Sequence, residues 1–465
     1  MAKRGQNSID IVILSLYLAL VGIGWAMIFT VGYGQGNYGG DFFEFMETPV
    51  GRQLVWVLIS FAVFAVVYVI EGKFWRTFAN IIYVLCLVAL AGVLVFGKTI
   101  KGATSWYDFG GGVTLQPSEF AKFGTAIALA SYLSAYANSF KTLWSRLYAI
   151  GFFAVPMILV LLQPDAGSAL VFLAFFVVLY REGFPGGVFV IGFMATVILL
   201  LGLVSPASNL MIGLAGVASL FLSWYMKRRL YWLAGVLLMA VPAYFAVRSG
   251  YEWYVVGFAA TVVLVLCLYH WIQKQQGLAY AMAALFSLGS MMALAANFVF
   301  QNLKKHQQER IEVWLRPSNV DYRGAGYNLY HSKLAISSGG FSGKGYLSGN
   351  FTQGNFVPEQ NTDFIFCAIG EEQGFIGSLL IIGLFSLLIW RIIVVAERQR
   401  TDFNRLYAYG VASILFLHVF INIGMTMGLM PIIGIPLPFL SKGGSSLLGF
   451  TLMISVLLRM DVDRK

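Results

Sequence analysis

Residues 1–32, MAKRGQNSIDIVILSLYLALVGIGWAMIFTVG, decide what kind of molecule this is. Lys3 and Arg4 precede a long apolar run, as they would in a secretory leader. The run is too long for a leader's apolar core, and no small-x-small cleavage site follows it. It predicts an uncleaved first membrane span with the N-terminus on the cytoplasmic side.

Composition extends that reading to the whole chain. Of 465 residues 59% are hydrophobic and 11% charged, and the mean hydropathy is +0.77. A water-soluble domain of this length would carry far more surface charge. Apolar runs, each long enough to cross about 30 Å of hydrocarbon, recur at 10–32, 53–70, 78–97, 119–137, 146–163 and 167–180. Others follow at 186–204, 208–226, 230–247, 254–270, 278–300, 371–395, 405–427 and 443–459. The expected fold is an all-α polytopic membrane protein with about fourteen transmembrane helices.

Basic residues test the topology, because they favour cytoplasmic loops. Lys73, Arg76, Lys141, Arg146, Arg181, Lys227, Arg228, Arg229 and Lys274 fall on one side. Arg391, Arg398, Arg400, Arg405, Arg459, Arg464 and Lys465 join them there. The outer loop at 33–52 carries Asp41, Glu44 and Glu47. Both termini are thus expected in the cytoplasm, and the net charge of +10 reflects orientation, not nucleic-acid binding. Cys86, Cys267 and Cys367 lie far apart in apolar surroundings, which predicts small core residues without disulfides or metal.

On this topology the polar residues gather outside. They lie in TIKGATSWYDFGGGVTLQPSE at 99–119, QPDAG at 163–167, the large loop 301–363 and PIIGIPLPFLSKGGSS at 431–446. Leu115-Gln116-Pro117-Ser118-Glu119 and Leu162-Gln163-Pro164-Asp165 each place a carboxylate at a helix start, where capping is the plain reading. Glu119 and Lys122, spaced i,i+3, can also pair on one face, and ionisable groups at membrane depth tend to be functional. In the large loop, Gly339-Gly340 and Gly343-Lys344-Gly345 read either as turns or as a phosphate cradle. Ser338 and Gly345 stand where a nucleotide-binding loop needs glycine and Ser or Thr. Arg310, Lys333 and Lys344 form a basic set suited to a pyrophosphate. His306 and His331 lack a third ligand at metal spacing. Asp363, next to Glu359 at the loop's end, is either an N-cap, with Thr362 as the rival, or a partly desolvated carboxylate suited to act as a general base.

The ordered set QPSE..K, QPDAGSALV, HQQERI with GAGYNLYHSKLAISSGGFSGKG, PEQNTDFIF with GEEQG, and GIPLPFLSKGGSS resembles the SEDS family (shape, elongation, division and sporulation). Within it the last motif is closer to the RodA-like elongation branch than to the FtsW-like division branch. The resemblance implies a peptidoglycan glycosyltransferase that polymerises lipid II outside the bacterial cytoplasmic membrane. It usually works with a class B penicillin-binding protein as transpeptidase partner. It implies Asp363 as the catalytic aspartate and Glu119 and Lys122 as a functional polar pair. Asp165, Arg310, Lys333, Lys344, Glu359 and Ser441 are expected as substrate contacts. No cofactor is required, and a divalent cation (Mg or Mn) is admissible at the pyrophosphate.

Three positions depart from the family pattern: Ser105 replaces an arginine, Asn361 a histidine and Lys442 a tyrosine. Family members have ten spans, so about four helices within 186–300 are expected as an insertion, with the large loop at 301–363 still outside. A flippase for the same lipid would suit many spans and an intramembrane Glu119/Lys122 pair, but such transporters usually show repeated halves around a midplane site. A scaffold for envelope enzymes would not need Asp363.

Overall fold

The computed structural model describes residues 9–33, 42–100, 102–110, 113–135, 140, 142–226, 229–303, 305–316, 324 and 326–464. Lys3, Arg4, Asp41, Lys141, Lys227, Arg228 and Lys465, invoked above for orientation, lie outside these residues, as does the side chain of His306. The chain divides into two compact units, Met1–Phe184 with Val320–Lys465, and Pro185–Asn319.

The first unit begins with α1 (Ile11–Tyr33), α2 (Phe42–Glu47), α3 (Pro49–Val69), α4 (Gly72–Thr77) and α5 (Ala79–Phe96). It continues with α6 (Pro117–Ala135), α7 (Leu143–Leu162), α8 (Ala166–Val171) and α9 (Phe175–Arg181). The second unit holds α10 (Gly186–Val204), α11 (Ala207–Trp224), α12 (Arg229–Arg248), α13 (Glu252–Ile272), α14 (Gln276–Asn302) and α15 (Lys305–Leu315). The chain returns to the first unit with α16 (Tyr327–Ser338), α17 (Asn350–Gln353), α18 (Ile365–Glu397), α19 (Asp402–Met427) and α20 (Gly444–Val462).

Each apolar run named above is helical. Among the described residues twelve helices are long and apolar enough to cross a membrane. The remaining two runs are α6, which carries Glu119 and Lys122, and Ala166–Arg181, which is shorter and passes through a 3-10 turn at Phe172–Ala174. The molecule is an all-α polytopic membrane protein with one small addition. Strands β1 (Lys98–Ile100), β2 (Ala103–Asp108) and β3 (Thr114–Leu115) form an antiparallel sheet in that order. Gly102, at φ 84°, makes the tight turn between the first two.

In the first unit α6 is the central helix. It packs against α5, α7, α19 and α20, and most of its residues are buried. Small residues permit the approach: a Cβ at Gly124 would meet Cys86 Sγ at 2.8 Å, and one at Gly449 would meet the Glu119 carbonyl at 3.1 Å. The second unit buries a cluster of its own, including Ala218, Leu222, Leu266 and Cys267. The three cysteines are free.

Helix α18 breaks at Gly374, where φ is 64° and ψ −157°. The loop 339–345 fills the break. Lys344 N donates to Glu371 O (3.1 Å), Gly345 N to Glu372 O (2.9 Å), and Phe375 N to Gly340 O (3.0 Å). A Cβ at Gly343 would lie 2.1 Å from Glu372 O, and one at Gly374 would lie 2.3 Å from Gly343 N. The glycines of this loop are therefore needed for backbone to approach backbone, and the loop is a clasp on α18.

One end of the first unit is held by ions. Arg391 and Arg398, at the close of α18, each reach Asp10 at 2.8 Å, and Arg398 also pairs with Asp461 on α20. Burial alone would raise the Asp10 carboxyl; the Arg391 hydrogen bond, the Ile13 amide and the charges of both arginines bring it below its ordinary value of 3.8. A carboxyl lowered in the folded state adds stability that is present above the unfolded pKa and lost as pH falls through the folded one. Asp10→Ala should lower unfolding stability by about 3 kcal/mol, and Asp10→Asn should blunt the loss of stability below about pH 4. Thermal unfolding of detergent-solubilised protein against pH checks both.

Candidate functional site

The motifs expected outside meet in the first unit. Gln116, ahead of α6, donates its side-chain amide to Asp165 Oδ2 (2.9 Å) and Ser168 Oγ (3.3 Å), and its backbone N–H to Ser445 Oγ at the start of α20 (3.0 Å). Asp165 is the N-cap of α8, accepting from Ser168 N at 3.0 Å. One turn on, a Cβ at Gly167 would meet Ile433 O at 2.5 Å. The loop 431–436 thus lies against the QPDAG motif. Asn422 of α19 grips that loop and the aspartate loop together, its Nδ2 donating to Ile435 O (2.7 Å) and to Asp363 O (2.8 Å).

Asp363 itself is half-buried, and a Cβ at Gly434 would lie 3.2 Å from its Oδ2. Only glycine leaves this space beside the carboxylate. The N-cap position of α18 is Phe364, which makes no side-chain cap bond, and Asp363 immediately precedes it. Its backbone is set by a tight turn in which Thr362, Asp363 and Phe364 all donate to Glu359 O at 3.0–3.2 Å. Thr362 also donates to Glu359 Oε2 at 3.1 Å.

Beneath this loop lies a closed polar knot. Lys122 Nζ donates to Glu119 Oε2 (2.8 Å) and to His418 Nε2 (2.8 Å), and all three side chains are buried. An ammonium has no lone pair, so Nε2 of His418 must accept, which leaves the proton on Nδ1 facing Pro436 O at 3.3 Å. The chain of contacts runs from the pair on α6 through His418 to the loop that Asn422 ties to Asp363. The pair therefore supports the site from below and does not face an open solvent path.

Several expected contacts are placed elsewhere. Lys344 pairs with the buried Glu371 at 2.7 Å, so its charge belongs to the clasp. Ser441 is buried in its own turn, its Oγ accepting from Leu437 N at 2.8 Å. Lys333 is exposed on α16, close to Gly428, which ends α19, where a cation suits the helix C-terminus. Arg310 is exposed on α15 of the second unit. Glu119, Lys122, Asp165, Glu359 and Asp363 are the members that the first unit gathers.

Sequence reasoning named Lys442 only as a departure from the family pattern and missed its contact with the Asp363 turn. Lys442 N donates to Asn361 O (2.8 Å), and Gly443 N donates to Gln53 Oε1 (3.2 Å) beside Arg52. Burial first, then the positive charge of Arg52, lowers the Lys442 pKa, while Glu359 opposes the shift. The two positive charges lie close enough to repel. Also missed were His418 and Asn422, whose i,i+4 spacing in an otherwise apolar helix was a readable signal. Among the described residues no three His, Cys, Asp or Glu side chains gather to hold a metal ion.

This fold and constellation define a class of multi-pass membrane enzyme, and comparison with known proteins identifies it. The family model described as "Cell cycle protein", of FtsW, RodA and SpoVE, matches residues 11–212 and 276–465. The chain belongs to that family. It is 30% identical to the peptidoglycan glycosyltransferase RodA of Treponema pallidum over all of both chains. It is 28% identical to the Escherichia coli peptidoglycan glycosyltransferase MrdB, over 88% of this chain and 85% of that one. A solved structure, described as showing coordination of polymerization and crosslinking by a peptidoglycan synthase complex, shares the fold with a TM-score of 0.63 at 24% identity over 98% of both chains.

Lys122→Met should lower stability by about 3 kcal/mol, because it strands a buried carboxylate. The double change Glu119→Gln with Lys122→Met should recover part of that loss. A double-mutant cycle by thermal unfolding reads the coupling.

Proposed function

We propose that this chain, a peptidoglycan glycosyltransferase, polymerises lipid II into β-1,4-linked glycan strands for cell elongation, with Asp363 as the general base. The observation that carries the reading is the Asp363 carboxylate, half-buried beside Gly434 in a turn that Asn422 ties to the 431–436 loop. Asp363 takes the proton of the acceptor sugar's 4-hydroxyl. The oxygen attacks the donor's anomeric carbon from the face opposite the diphosphate, forming the C1–O4 bond as the bond from C1 to the phosphate oxygen breaks. Polyprenyl diphosphate leaves and the α-linked donor becomes a β-linked product.

A glycoside needs a second carboxyl group to protonate its leaving oxygen. A diphosphate needs cations instead, and one base is then enough. We assign that charge to Lys442 and Arg52 in place of Lys344. Were a divalent cation, Mg or Mn, bound with the diphosphate, Glu359 would be the carboxylate to hold it, Asp363 being kept for the proton. The ion would neutralise charge on the leaving group. The polyprenyl chains lie against the exposed apolar faces of the helices.

The lysine and arginine distribution supports a bacterial inner-membrane protein with both termini cytoplasmic and the site on the extracytoplasmic face. A class B penicillin-binding protein is the proposed partner, cross-linking the strands as they form. We read about four helices within 186–300 as an insertion. The interval 213–275, which separates the two stretches matched by the family model, falls inside it and supports that reading.

With the transpeptidase partner present, wild type should make glycan strands from lipid II. Asp363→Asn, which keeps shape but cannot take a proton, should bind lipid II and make none. Normal polymerisation by that variant would overturn the assignment of the base, and lipid II movement across liposomes without polymerisation would favour the flippase. Lys442→Met should raise KM for lipid II at least about fivefold.

A further inference from the structure

We infer that Glu371 is a positioning residue for the reaction, holding the Asp363 turn in place through Thr352 and Gln360. The inference rests on the reading of Asp363 as the base. Glu371 is fully buried, eight positions after Asp363 in the chain, and its two oxygens take four donors. Oε1 accepts from Lys344 Nζ (2.7 Å) and Phe351 N (3.0 Å), and Oε2 accepts from Thr352 N (2.8 Å) and Thr352 Oγ1 (2.8 Å). A carboxylate held by this many donors is a fixed point from which a loop can hang.

The link onward is directional. An ionised carboxylate only accepts, so the Thr352 hydroxyl spends its one proton on Glu371. It can then only accept from Gln360, whose Nε2 lies 3.2 Å away. The orientation of the Gln360 amide is fixed by the same reasoning, since its oxygen would face a lone pair. Gln360 is fully buried and follows Glu359, whose carbonyl collects the amides of residues 362, 363 and 364. The turn is thus held from behind by the relay Glu371–Thr352–Gln360 and from the other side by Asn422 on the Asp363 carbonyl. Phe364 closes the arrangement by packing with Ala335, Val357 and Cys367. A base displaced by a fraction of an ångström loses rate without losing substrate.

Thr352→Val preserves shape and the backbone bond to Glu371 but cuts the relay; Thr352→Ser keeps the hydroxyl. In steady-state polymerisation of lipid II by the full chain with its partner, Thr352→Val should lower kcat at least about tenfold with KM within about twofold. Thr352→Ser should restore kcat. Gln360→Met cuts the same relay at its other link, so it should reproduce the loss, and the double variant should be no worse than either single one. These last measurements keep the test intact should Thr352→Val fail to fold. A wild-type kcat in folded Thr352→Val or Gln360→Met, a change confined to KM, a Thr352→Ser as slow as the valine, or additive losses would each overturn the inference. Asp363→Asn run alongside separates the two readings. An active Asp363→Asn overturns the base itself, whereas an inactive one beside a fully active Thr352→Val overturns only the role of Glu371.

Discussion

An ammonium group removed from water must be matched where it stands, and the side chain of Lys122 is wholly buried in the middle of the first unit. Its match consists of one carboxylate, Glu119, and one neutral imidazole, His418. Removing either charge alone would strand the other at a cost of several kcal/mol. The requirement reaches beyond the pair. It forces the tautomer of His418, which turns Nδ1–H toward Pro436, and so sets the loop against which the Asp363 segment rests. Helix α6 can sit at the centre of the unit, packed on four neighbours, only because its two charges satisfy each other there.

The same logic divides the remaining charged groups by task. Lys344 and Glu371 neutralise one another inside the clasp on α18, so neither charge is left for a ligand. Lys442 and Arg52 weigh on one another electrostatically, with Glu359 as the opposing charge. The Lys442 backbone is tied to the Asp363 turn through Asn361 O. Lys442 stands where relatives of this family are expected to carry tyrosine, so part of the cationic character is this chain's own.

Much of the architecture was legible because membrane spans are written in local composition. Every apolar run of sufficient length became a helix, and Asp363, Glu119 and Asp165 stand at helix starts next to proline or an apolar run, where the sequence puts them. What could not be read depends on partners far apart in the chain. Lys344 meets a glutamate 27 positions later, across a break in a helix that composition alone would draw straight. Lys122 meets a histidine 296 positions away. The small sheet at 98–115 escaped because its strands are two to six residues long, too short for alternation to register. His418 and Asn422 were legible in principle, as polar residues one turn apart in an apolar helix.

The two ends of the first unit are fastened by different means. Where α1 begins and α18 and α20 finish, buried aspartates share arginines in ionic bonds. At the Asp363 loops only the last links to the turn, Gln360 to Thr352 and Asn422 to the Asp363 and Ile435 carbonyls, are neutral, and Glu371 with Lys344 anchors the chain behind them. Ionic hydrogen bonds are roughly twice as strong as neutral ones. A bundle graded in this way gives first at its neutral links and last at its arginine-held end.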